Sequence, residues 1–117
     1  MMEIDLKEDF NIVEDGTQYL LPCYEVIDGK GIEKTQEVVA LNFVRGSKLK
    51  GEDVTKREGT LHEHLLSCMI HDLKFKNGLV PSREGSIVIT KLQEALQWLR
   101  ERQIDRVKRE VVGTYQK

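Results

Sequence analysis

Two cysteines and two prolines are all that this chain of 117 residues contains. Cys23 and Cys68 form no CxxC pair, so neither a disulfide scaffold nor a zinc knuckle is indicated, and two reduced thiols are expected. No apolar run reaches the ~18–20 residues that span a bilayer. The opening residues, Met1-Met2-Glu3-Ile4-Asp5-Leu6, are acidic and lack the basic start and apolar core of a signal peptide. A cytoplasmic protein without a membrane partner is therefore expected. A P-loop, a Rossmann glycine pattern and a nucleophile elbow are missing too. Carboxylates are numerous, but nothing marks a pair of them for acid–base work. The net charge of −2 argues against a DNA or RNA partner.

That small net charge conceals an asymmetry. Residues 1–59 carry 8 cations and 13 anions, whereas residues 60–117 carry 10 cations and 7 anions. The first half reads as β structure. Phe10-Asn11-Ile12-Val13 is followed by Asp15-Gly16, a hairpin signal. Gln18 to Ile27 reads as a strand whose Pro22 points to an edge or a bulge. Asp28-Gly29-Lys30-Gly31 is the next turn. Glu37 to Arg45 reads as a strand with apolar residues on both faces, so both faces are expected to be covered. Gly46 to Gly59 is polar and reads as a linker, with cations (Lys48, Lys50, Lys56, Arg57) that offer a second source of phosphate contacts. The second half reads as helix. Thr60-Leu61-His62-Glu63 has the pattern of a capping box, and Asn77-Gly78 that of a helix stop. A second helix, capped by Ser82 or Ser86, should run to about Arg109 or Val111 and project past the first. The expected fold class is α+β: an N-terminal antiparallel β-sheet (1–56), then a C-terminal antiparallel two-helix hairpin with a tail (57–117).

The candidate site residues follow from where the cations fall. At ~100° per residue, Val88, Leu92, Leu96, Leu99 and Gln103 form one stripe of the second helix. Lys91, Trp98, Arg102 and Arg109 flank it, Arg106 lies nearer its centre, and Arg100 lies on the opposite flank. Arginines beside packed surface suit a phosphate-bearing ligand; arginines late in a helix also complement its dipole. Phe75 ends the first helix and has a face on which a nucleobase can stack. Gly78 and Gly85 leave backbone N–H groups open to a phosphate. His64, Cys68 and His71 share one helix face, but the row has no clear fourth metal ligand and matches neither a finger nor an HExxH motif, so no metal is expected. His71-Asp72 is a dipeptide found in metal-dependent phosphohydrolases. The further ligands those enzymes need on other helices are missing.

The runs Arg57 to Leu66 and Leu79 to Leu99, followed by Arg102, Arg106 and Gly113-Thr114, resemble the phage anti-defence sponge proteins. The resemblance is to the first Thoeris anti-defence family, which shares a C-terminal helical hairpin with the anti-CBASS sponges. It implies an oligomer (dimer or hexamer) that sequesters cyclic ADP-ribose-type signals such as glycocyclic ADP-ribose in the infected bacterial cytoplasm. Some members also hold cyclic oligonucleotides. No catalysis and no cofactor are implied. On the matching positions, Phe75 would stack on adenine. Ser82-Arg83-Glu84-Gly85 would line the base or phosphate, with Gly85 standing where relatives often carry Asn. Arg102 and Arg106 would meet phosphates, and Gly113-Thr114 would close the pocket. Two other readings stay open: an enzyme that cleaves the same signal, and a protein-interaction module docking through the long helix.

Overall fold

The computed structural model describes residues 10–46 and 55–115, with side chains to Arg109. The chain divides into two compact units, Met1–Thr60 and Leu61–Lys117. The first is a three-stranded antiparallel sheet and the second a pair of helices, the expected α+β arrangement.

The sheet comprises β1 (Asn11–Glu14), β2 (Gln18–Ile27) and β3 (Gly31–Asn42), in the order β1-β2-β3. Its first hairpin closes where the Thr17 N–H donates to the Glu14 carbonyl at 3.1 Å, with Gly16 at φ 79°, a conformation that costs glycine little. The second closes through Lys30 N–H on the Ile27 carbonyl at 3.0 Å. β3 begins at Gly31, six residues before the apolar run that starts at Glu37. Its polar first half pairs with Tyr24 to Ile27, so the backbone ladder sets the strand's length where the apolar pattern does not. Pro22 lies in the middle strand, and the register shifts between Pro22 and Tyr24. The Thr35 hydroxyl donates to the Cys23 carbonyl there and accepts from the Glu37 N–H. The irregularity absorbs a residue that has no N–H to give.

Past β3 the chain returns to the sheet. Arg45 and Arg57 exchange backbone bonds of 3.0 and 2.8 Å, and Thr60 bonds Asn42 and Val44. The expected linker 46–59 is therefore partly built into the sheet; its residues 47–54 lie outside the described residues. Gly59 crosses this return without room for a side chain. A Cβ there would run into the Phe43 backbone and lie 2.7 Å from Asn42 O and Val44 N. The pairing also corrects the capping box. The Thr60 N–H is spent on Asn42, and the helix is capped by Leu61, with no side-chain cap bond.

The second unit pairs α1 (His62–Leu79) with α2 (Arg83–Tyr115). Ile70, Ile89 and Leu96 are buried between them, with Leu66, Leu73 and Leu92 packed around. Ile89 takes the place expected of Val88, which is 44% exposed. α1 runs through Asn77-Gly78, because Asn77 serves the connection rather than ending the helix. Its Oδ1 accepts the Ser82 N–H at 3.0 Å and its Nδ2 donates to Ser86 Oγ at 3.2 Å. Ser82 caps α2 as expected, its hydroxyl accepting the Gly85 N–H at 2.9 Å. At ~1.5 Å per residue, α1 is about 27 Å long and α2 about 50 Å, so nearly half of α2 runs on past the start of α1.

Candidate functional site

The hairpin sorts the expected ligand residues into three places. Arg83 and Gly85 sit at the corner, in the first turn of α2. Gly85 is in close contact with Asn77 Oδ1 and 2.9 Å from Ser82 Oγ, measured from an added Cβ. The position is small because the Asn77 side chain is folded over it. Arg83 opposes the helix dipole, and among the described residues no carboxylate lies within 4.0 Å of its guanidinium.

Phe75 is the second place. It lies about 170° round α1 from the mean direction of Leu66, Ile70 and Leu73. Its ring is 64% exposed, facing away from α2. It thus has no packing role within the hairpin.

The third place is one flank of α2 and its distal turns. Lys91 and Arg109 are held loosely along their own helix, by Glu94 at 4.0 Å and Asp105 at 3.3 Å. Arg102 and Arg106 are exposed, stand one turn apart, and form no ion pair within 4.0 Å among the described residues. α2 continues to Tyr115, further than the expected end near Val111, with no basic residue in its last turn. Arg102, Arg106 and Arg109 therefore sit more than a turn from the helix end, beyond the reach of its dipole. Complementing the dipole does not account for them. Thr114 belongs to this helical extension, and its side chain lies outside the described residues.

Phe75 and the arginines do not converge within one hairpin. Measured from the corner at ~1.5 Å per residue, Phe75 stands about 6 Å along, Arg102 about 29 Å and Arg106 about 35 Å.

Two hollows accompany these residues. One, of about 560 Å³, runs along a flank of the hairpin over Ile70 and Leu96 and is rimmed by His71, Lys74 and Arg100. Arg100, set on the opposite flank from Arg102 by its position in the sequence, does face that other side. The second, of about 300 Å³, lies in the sheet unit beside Glu14, Thr17 and Arg57. There the Arg57 fork grips the Glu14 carboxylate with Nε on Oε1 and Nη2 on Oε2, both at 3.0 Å. The Thr17 hydroxyl donates to Glu14 Oε1 as well. That bond, then Arg57, holds the Glu14 carboxyl below the ordinary carboxylate range. Arg57 is thereby occupied as a clip between β1 and the chain's return to the sheet, instead of serving as a free phosphate contact. Among the described residues no group of three His, Cys, Asp or Glu comes together as a metal set, the row His64, Cys68, His71 included.

Asn77 escaped the sequence reading because its dipeptide with Gly78 looks like a helix stop. The rim of the larger hollow is marked in the sequence: Lys74 and Arg100 have no acidic residue three or four positions away on their helices.

Residues 47–103 match the family model of the Acb2/Tad1 hairpin domain. Over 60 residues the chain is 42% identical to the protein named Thoeris anti-defense 1 of Bacillus phage SBSphiJ7. That stretch covers 50% of this chain and 42% of the relative, so the chain matches less than half of the relative's length.

Proposed function

Because residues 47–103 match the family model of the Acb2/Tad1 hairpin domain, we propose that this chain is a phage anti-defence sponge. It binds a cyclic ADP-ribose-type signal in the cytoplasm of the infected host and leaves it intact. Arg102 and Arg106 carry the reading: two exposed arginines one turn apart, with neither an acidic partner among the described residues nor a dipole to serve. Two guanidinium heads so spaced converge on one anion or on two linked phosphates. Phe75 supplies a free ring face for adenine, and Arg83 at the corner and Lys91 along α2 add positive charge. Charge-assisted bonds contribute about 1.5–3 kcal/mol each and stacking about 1–3 kcal/mol. A few such contacts reach the roughly −12 kcal/mol of nanomolar binding. Cyclic oligonucleotides are a second ligand class to be titrated alongside.

Sequestration and cleavage separate in one experiment. The protein is incubated with cyclic ADP-ribose-type nucleotide, heat-denatured, and the supernatant run on a chromatograph. Intact nucleotide, recovered in proportion to the protein added, is expected. Linear product accumulating over many turnovers would refute the sponge.

A further inference from the structure

The hollow on the flank of the hairpin has a chemistry of its own, separate from Arg102 and Arg106. Its floor is apolar, formed by Ile70 and Leu96. Its walls carry the neutral polar side chains of Ser67, Gln93 and Gln97, and its rim carries His71, Lys74 and Arg100. No carboxylate lines it. Glu63, the acid in the first turn of α1, is not among the lining side chains. Other cations of the same two helices hold acids on their own helix, Lys76 with Asp72 at 2.9 Å and Arg109 with Asp105. Lys74 and Arg100 hold none among the described residues, and the sequence offers them none at helical spacing. Three nitrogen bases over an apolar floor, with amides between, make a surface for a molecule that has one anionic end and one flat or apolar body. A volume of about 560 Å³ is of the order of a mononucleotide-sized ligand.

We propose that this flank is a second binding site, for a small phosphate monoester with an organic body, of nucleoside monophosphate size. Lys74 or Arg100 takes the phosphate, and the Gln93 and Gln97 amides bond the body above Ile70 and Leu96. The site does not depend on the sponge reading and stands or falls apart from it.

Calorimetry with AMP, adenosine and inorganic phosphate tests this. AMP should bind, and the Lys74→Gln, Arg100→Gln double variant should weaken it about tenfold or more. Lys76→Gln, which removes a cation of the same helix outside the hollow, should leave AMP binding within about twofold. Adenosine or inorganic phosphate binding as tightly as AMP would overturn the two-part recognition. No AMP binding at millimolar concentration, or equal binding by the double variant, would overturn the site. Prior saturation with cyclic ADP-ribose should leave AMP binding unchanged; competition would assign AMP to the other arginines. A fall in oligomeric mass of the double variant would make this flank an interface between copies and overturn the proposal as well.

Discussion

At the scale of single residues, charge is placed for two different ends. Glu14 and Arg57 spend theirs on folding: a forked ion pair, supported by Thr17, ties β1 to the chain's return to the sheet. The folded carboxyl titrates below its ordinary value of 4.5, so its contribution is complete above that value and is lost as pH falls through the lower folded value. Thermal unfolding should therefore show an acid limb below about pH 4.5 that Glu14→Gln flattens, with the variant less stable than the parent at neutral pH. Parallel acid limbs in the two proteins would remove Glu14 from that role. Arg102 and Arg106 spend no charge on folding among the described residues. Arg102→Ala or Arg106→Ala should cost roughly 1.5–3 kcal/mol of signal binding, about 10- to 150-fold, while the melting temperature hardly moves. Lys108→Ala is the control on the same helix. Calorimetry giving equal affinities for all of these variants would return the two arginines to solvated surface.

At the scale of elements, two glycines separate a backbone constraint from a side-chain one. At Gly59 an added Cβ meets backbone of β3's end, which cannot step aside. Gly59→Ala should destabilise the sheet by roughly 1–3 kcal/mol, as overpacking does. At Gly85 the added Cβ meets the ends of the Asn77 and Ser82 side chains, which can turn away. The Asn77 bond to the Ser82 N–H and the Ser82 cap on the Gly85 N–H are then both lost, against the ~1 kcal/mol that alanine gains over glycine in a helix. Gly85→Ala should cost about 1 kcal/mol in a denaturant melt, and a loss as large as that of Gly59→Ala would show the corner to be rigid. The same contrast explains what the sequence made legible. The glycine turns of the sheet and the Ser82 cap rest on local chemistry, and both stand in the structure. The capping box at Thr60, the helix stop at Asn77-Gly78 and the linker after Gly46 also looked local. Each was overridden by a partner outside its own motif: Asn42 for Thr60, Ser82 and Ser86 across the helix corner for Asn77, Arg45 for Arg57. Val88 and Ile89 both offer apolar faces one position apart, and packing against Ile70 decided between them. For the candidate site, the residue types were readable but their separation along the hairpin was not, because it depends on where α1 ends.

At the scale of the whole molecule, that separation has a consequence for binding. Phe75 and Arg102 stand about 23 Å apart along the hairpin, and Phe75 faces away from α2. A compact cyclic signal of the ADP-ribose type, closed on itself by its pyrophosphate, is too small to touch both in one chain. If the ring and the arginines grip the same ligand, they come from different copies, and the site exists only in an oligomer. The surface agrees with such an assembly: Trp98 is 74% exposed, Ile104 and Val107 are about half exposed, and Val38 and Val39 are both more than half exposed. Light scattering at micromolar concentration should therefore give a dimer or higher multimer, and a monomeric mass would exclude the shared site. Mixing decides it directly. A Phe75→Ala chain and an Arg102→Ala, Arg106→Ala chain should each bind poorly alone. Unfolded and refolded together, they form mixed pairs in which one site loses both the ring and the arginines and the other keeps both. Recovery of signal binding, to about a quarter of the wild-type site number at random pairing, is the expected result. No recovery, in a mixture shown by native mass spectrometry to contain mixed pairs, would put the ring and the arginines in separate sites.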